Sequence, residues 1–136
     1  MLPTVTPQEA ARLVREEGAV LADVREPQEF AGPRIAGAQN LPLSRLARME
    51  LGEGTGPVVF LCQSGMRTRR AGAMLQSKAG ARRAWVLEGG LNGWRRAGLP
   101  VEGSAEGGGN GLSPWLLALA GGGAMLLAWL MLRAYA

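Results

Sequence analysis

Pro57-Val58-Val59-Phe60-Leu61-Cys62-Gln63-Ser64-Gly65-Met66-Arg67-Thr68 is the stretch on which the reading of this chain turns. Residues 57–61 form the strongest strand signal in the sequence, a short apolar run without alternation, as expected for a strand covered on both faces. Cys62 stands directly at its end. The polar residues that follow must turn tightly, with Gly65 relieving the steric constraint, before a helix predicted over Thr68 to about Ser77. In a parallel α/β sheet, binding sites form at such carboxyl ends of strands. The loop's N–H groups then converge on one spot and the helix adds its positive end, so a thiol held there is favoured as thiolate. Arg67, permanently cationic, adds to that field. A lone cysteine is most often an inert core residue. Here it is the joint placement of strand, Cys62, Gly65, Arg67 and helix that points to chemistry.

Working outward, Thr6-Pro7-Gln8-Glu9 opens a helix, with Thr as N-cap, Pro at the first helical position and Glu three residues after the cap. Ala10, Leu13 and Val14 give it an apolar face and Gly18 ends it. Ala19-Val20-Leu21-Ala22 reads as a buried strand, closed by the polar Asp23-Val24-Arg25-Glu26-Pro27. A helical turn around Gln28 to Phe30, a brief strand near Ala38 to Leu41 and a helix from Ser44 to about Leu51 follow. Beyond the turn-rich 52–56 and the cysteine segment come a strand over Ala84 to Leu87 and a short helix from Leu91 to Ala97. Strands alternating with helices predict an α/β domain with a largely parallel central sheet flanked by helices, over residues 1–102. Residues 103–111 read as a Gly-rich linker.

Composition narrows the function. The chain has 15 Lys and Arg against 11 Asp and Glu, a formal net charge of +4, but the cations are spread as singles and doublets without a basic block. Nucleic acid is therefore not the expected partner. There is no histidine, which removes Cys/His and Ser/His/Asp catalysis and disfavours a protein zinc site. The single cysteine excludes an internal disulfide and any two-cysteine redox motif. No cofactor and no metal are expected.

These segments together resemble the rhodanese-homology family over residues 3 to about 101. Asp23-Val24-Arg25 followed by Glu29-Phe30 is similar to its first signature, and Gly37-Ala38-Gln39-Asn40-Leu41-Pro42 to its Gly-Ala-x-Asn-Ile-Pro stretch. Cys62 to Thr68 resembles its active-site loop, and Leu87-Glu88-Gly89-Gly90 with Trp94, Gly98 and Pro100-Val101 its closing signature. Where the family often has Gly-His-Ile-Pro, this chain has Pro33-Arg34-Ile35-Ala36, which is expected to alter the rim of the pocket.

The resemblance implies a two-step sulfur transfer. Cys62 takes the outer sulfur of thiosulfate or a persulfide, and a thiol or cyanide then removes it. The backbone of Gln63, Ser64, Gly65, Met66 and Arg67 would cradle the persulfide anion, as an oxyanion hole does. Arg67 would help hold a small anionic donor. Asp23, Arg25 and Thr68 are expected in supporting roles, with Arg25 and Glu29 as a candidate pair. The same fold carries phosphatases and arsenate reductases, but dual-specificity phosphatases usually place Arg six residues after Cys and His before it. Here Arg67 is five residues after Cys62 and Leu61 precedes it, so the smaller loop suits sulfur. A non-catalytic regulatory or scaffold module is the other alternative, disfavoured by the intact cysteine loop.

From Gly107 to Leu132 the sequence carries no charge. The segment 112–132 would span about 31 Å as a helix, against a hydrocarbon core of about 30 Å. With Trp115 at one end, and Trp129 and Tyr135 at the other, residues 112–133 read as a single transmembrane helix. Ala118 with Gly122, and Ala120 with Ala124, are small-xxx-small pairs of the kind that allow homo-oligomer contacts. The expectation is a single-pass membrane protein with its catalytic domain in the cytoplasm.

Overall fold

Strand β4, Val58–Leu61, is buried at all four positions, and its alternation divides the core. Val58, Phe60 and the following Cys62 face one apolar cluster with Ala22, Val24, Leu46, Leu75 and Ala79. Val59 and Leu61 face the other, with Leu13, Leu21, Leu87, Leu91 and Trp94. The unbroken apolar run is explained by a strand that lies between two cores.

The structure, a computed structural model, describes residues 1–103. In chain order the elements are β1 (Thr4–Val5), α1 (Pro7–Glu17), β2 (Val20–Asp23), α2 (Pro27–Phe30), β3 (Gln39–Asn40), a 3-10 helix (Leu43–Arg48), β4, α3 (Met66–Arg70), α4 (Gly72–Ala79), β5 (Ala84–Leu87) and α5 (Gly90–Arg96). The five strands form one sheet in the order β1-β5-β4-β2-β3. Every pairing is parallel. The predicted parallel α/β fold is therefore present.

Helix α1 starts as read from the sequence: the Thr6 side chain accepts the Glu9 N–H, and Gly18 closes it in the left-handed region. Three expectations are corrected. The helix expected over Ser44 to Leu51 is a 3-10 segment ending at Arg48. Leu46 is its one buried residue, so there is no second turn of apolar surface to extend it. The helix expected over Thr68 to Ser77 starts at Met66 and is interrupted at Ala71, so that α3 and α4 are separate. Gly65 sets the early start from the left-handed region (φ 97°), and Gly72 beside the break weakens helical continuity. Strand β1 was not expected, because two residues carry no periodic signal; it pairs Thr4 with Val86 and Val5 with Leu87.

Gly103 is the last described residue, so the linker beyond it and the transmembrane segment 112–133 lie outside the described residues. Among the described residues no helix is long and apolar enough to cross a membrane.

Candidate active site

The central strands β2 and β4 run side by side, with Asp23 opposite Leu61, so their polar ends open at the same edge. Cys62 leaves β4 there as a free, fully buried thiol. The loop folds back so that the Gly65 N–H donates to Sγ at 3.1 Å. The Thr68 hydroxyl lies 3.8 Å from Sγ and donates to the Gly65 carbonyl at 3.0 Å, which holds the loop closed.

Burial alone would push the Cys62 thiol up, because the charged form loses water. The backbone N–H groups of Thr68, Gly65 and Ser64, with the Thr68 hydroxyl, outweigh that burial and hold the thiol below its ordinary value. The thiolate is thus stabilised by backbone dipoles and one hydroxyl, without a histidine.

Helix α5 supports the loop from behind. The Leu91 N–H donates to the Cys62 carbonyl at 2.9 Å and the Asn92 N–H to the Gln63 carbonyl at 3.0 Å. This approach requires glycine at position 90, where a Cβ would sit 2.3 Å from the Cys62 carbonyl oxygen. The Glu88-Gly89-Gly90 signature therefore has a mechanical meaning that the sequence reading did not assign.

Arg25 and Asp23 are almost completely buried. The Arg25 guanidinium meets both Asp23 oxygens at 2.8–3.1 Å and also donates to the Pro33 carbonyl and to the Gln63 side chain. Gln63 in turn donates to Asn92 at 2.7 Å. This network ties the end of β2 to the cysteine loop and to α5.

One expectation is corrected by geometry. Arg25 does not pair with Glu29, because Asp23 lies within its own reach and is buried beside it. Glu29 reaches Arg67 instead, with Nη1 on one carboxylate oxygen at 2.7 Å and Nη2 on the other at 2.8 Å. Arg67 is therefore already occupied by a carboxylate at the mouth of the loop. The Arg67 guanidinium, against a smaller opposing effect of burial, holds the Glu29 carboxyl down to about 2. Glu29 was singled out in the sequence as part of the Glu-Phe signature and as a candidate partner of Arg25, not of Arg67. Its spacing from Arg67, 38 residues, left no local signal.

The remaining predicted site residues divide clearly. Ser64 and Met66 are exposed, with Met66 at 50%. Arg34, in place of the usual histidine, points elsewhere. It donates to the Ala31 and Gly32 carbonyls, pairs with Glu102 at 3.4 Å and stacks 5.7 Å over the Phe30 ring. It fastens the 102 segment to the β2–β3 connection. Among the described residues no cluster of three or more His, Cys, Asp or Glu could hold a metal ion.

A profile of the rhodanese-like domain matches residues 6–97. This chain belongs to the rhodanese-like domain family. A 99-residue stretch is 43% identical to an uncharacterized protein of Synechocystis sp., covering 72% of this chain but only 55% of that protein. The rhodanese-like segment is 31% identical over 99 residues to the thiosulfate sulfurtransferase GlpE of Actinobacillus pleuropneumoniae, covering 72% of this chain and 91% of GlpE. The fold is similar to the crystal structure of a rhodanese-related protein from Thermoplasma volcanium, with a TM-score of 0.63 at 25% identity over 73% of this chain and 96% of that one.

Proposed function

We propose that this rhodanese-like chain is a sulfurtransferase that carries sulfane sulfur on Cys62. The single observation that carries this reading is the Gly65 N–H held 3.1 Å from a strand-end thiol that the surrounding loop keeps below its ordinary pKa. In the loading step the Cys62 thiolate attacks the outer sulfur of thiosulfate. The Sγ–S bond forms, the S–S bond of the donor breaks, and sulfite leaves with the electron pair. The outer sulfur of the resulting Cys62 persulfide then transfers to an acceptor thiolate or cyanide, and the Cys62 thiolate is regenerated. The loop N–H groups stabilise anionic sulfur before and after loading, so little reorganisation is needed. The similarity to GlpE supports this assignment.

Incubating the full-length chain with thiosulfate, and then with a persulfide donor, tests it by mass. The expected result is a gain of one sulfur atom that is absent in Cys62→Ala and is removed by cyanide. No gain from any sulfane donor would overturn the reading. A second reading, a non-catalytic regulatory module, is favoured by one observation: Cys62 has no exposed surface. The same mass measurement separates the two.

We further propose that residues 112–133 anchor the domain to a membrane on its cytoplasmic side, on the strength of the uncharged run 112–132 and the aromatic residues near its ends. Tethering would raise the effective concentration of Cys62 near a membrane-bound donor or acceptor. Release of the chain by alkaline carbonate without detergent would refute a spanning helix.

A further inference from the structure

A cavity of about 200 Å³ lies against the cysteine loop. Ser64 and Gly65 form one wall, Arg69 of α3 another, and the end of β5 with Glu88 and Gly89 the rest. The β5 residues that line it are buried, whereas Ser64, Arg69 and Glu88 are exposed, so a closed floor carries a polar rim. Sites for drug-sized ligands occupy roughly 300–1,000 Å³. The occupant of this smaller space is therefore a small molecule.

Two opposite charges share the cavity without meeting. Among the described residues neither the Arg69 guanidinium nor the Glu88 carboxylate has a hydrogen-bond or ion-pair partner. Arg67 and Glu29, by contrast, satisfy each other and do not line this space. A dianion such as thiosulfate would be drawn by Arg69 and repelled by Glu88. A ligand that satisfies both carries a negative and a positive group close together, as the head of an α-amino acid does. Gly65 connects this space to the sulfur: it lines the cavity, and its N–H donates to the Cys62 Sγ at 3.1 Å. The outer sulfur of a Cys62 persulfide stands about 2 Å from Sγ.

We propose that this cavity holds the head group of a zwitterionic acceptor thiol of cysteine type, its carboxylate on Arg69 and its ammonium on Glu88, with the thiol delivered past Gly65 to the persulfide on Cys62. The inference rests on the sulfur-transfer reading and names its acceptor class. The unloading step is then Cys62–S–S⁻ + R–SH → Cys62–S⁻ + R–S–SH. A bond forms between the acceptor sulfur and the outer sulfur, the Sγ–S bond breaks, and Sγ keeps the electron pair. The thiol proton passes to the transferred sulfur. Arg69 and Glu88 bind the part of the acceptor that does not react and so set which thiol is used.

The test loads the full-length chain with thiosulfate, removes the excess donor and follows loss of the sulfur by mass at increasing acceptor concentration. A variant that thiosulfate does not load is loaded from a persulfide instead. Four acceptors are compared: L-cysteine, cysteamine without the carboxylate, 3-mercaptopropionate without the ammonium, and 2-mercaptoethanol with neither. Each thiol is compared with itself across variants, so differences in thiol acidity cancel. Arg69→Gln is expected to slow unloading by cysteine and 3-mercaptopropionate about tenfold and to leave cysteamine within about twofold. Glu88→Gln should slow cysteine and cysteamine by a similar factor and should not slow 3-mercaptopropionate. Unloading by 2-mercaptoethanol should stay within about twofold in both. Arg96→Gln serves as a control: its guanidinium lies near Gly89 but does not line the cavity, so it should leave all four thiols unchanged. Cysteine rates that stay within twofold in both cavity variants, a variant that slows all four thiols alike, or an Arg96→Gln effect equal to that of Arg69→Gln would overturn the inference and leave sulfur transfer intact. A wild type that no sulfane donor loads overturns sulfur transfer and this inference with it.

Discussion

The ends of β2 and β4 are neighbours in the same sheet, yet they handle charge in opposite ways. At the end of β2, Asp23 and Arg25 satisfy each other through side chains and are sealed from water. At the end of β4, Cys62 meets only backbone N–H groups and a hydroxyl. A charged side chain can be neutralised by another side chain, and a pair of that kind becomes structure. A thiolate held by backbone dipoles keeps its lone pairs and its charge, and it remains a nucleophile. The same sheet edge thus contributes one fixed strut and one reactive atom.

Breaking the strut is expected to have the largest effect on stability. Asp23→Ala leaves the Arg25 guanidinium buried without its carboxylate, which should cost about 3–5 kcal/mol. Chemical denaturation would read this, and a loss below about 1 kcal/mol would mean that the network relaxes around the gap. Gly90→Ala attacks the reactive end from behind. Its Cβ would overlap the Cys62 carbonyl at a positive φ of 58°. A cost of roughly 3 kcal/mol is expected, together with slower sulfur loading per folded molecule. Wild-type loading in this variant would show that α5 does not set the loop.

Thr68→Val sharpens the comparison at the sulfur itself. It removes the hydroxyl beside Sγ and leaves the Gly65 carbonyl with only the Arg69 N–H, for a loss of about 1 kcal/mol. The thiol should titrate higher, so the pH midpoint of its alkylation moves up; an unmoved midpoint would assign the thiolate's stability to backbone N–H groups alone. The smallest effect belongs to the rim pair. Glu29 is held at about 2, below its usual 4.5. A depressed carboxyl stabilises the fold above its unfolded value and loses that contribution as pH falls from about 4.5 through about 2. For a partly exposed pair the expected contribution is about 1 kcal/mol or less. Stability curves of wild type and Glu29→Gln between pH 2 and pH 6 should converge at the acid end, and parallel curves would remove the pair from the stability balance.

Much of this was legible in the chain itself. The Thr6 cap, the Gly18 stop and the buried run 58–61 are local signals, and each has a short-range physical cause. The cysteine at a strand end and the glycine three residues later are local too, so the candidate site could be located without coordinates. The break at Ala71 was not legible, because its neighbours read as one helix and a single glycine, Gly72, is too weak a local signal to divide it. The two-residue β1 was equally silent, since its register comes wholly from β5.

The sequence by itself determined the alternation of elements, the position of Cys62 and the means of activating it, because all of these depend on residues within a turn or two of one another. The tertiary structure alone decided which cation faces which anion. Arg67 read in isolation is a free guanidinium waiting for a donor; folded, it is bound by Glu29 from a helix 38 residues upstream. Ion pairs across a sheet edge depend on distances of a few ångströms between segments, and no local pattern encodes those distances.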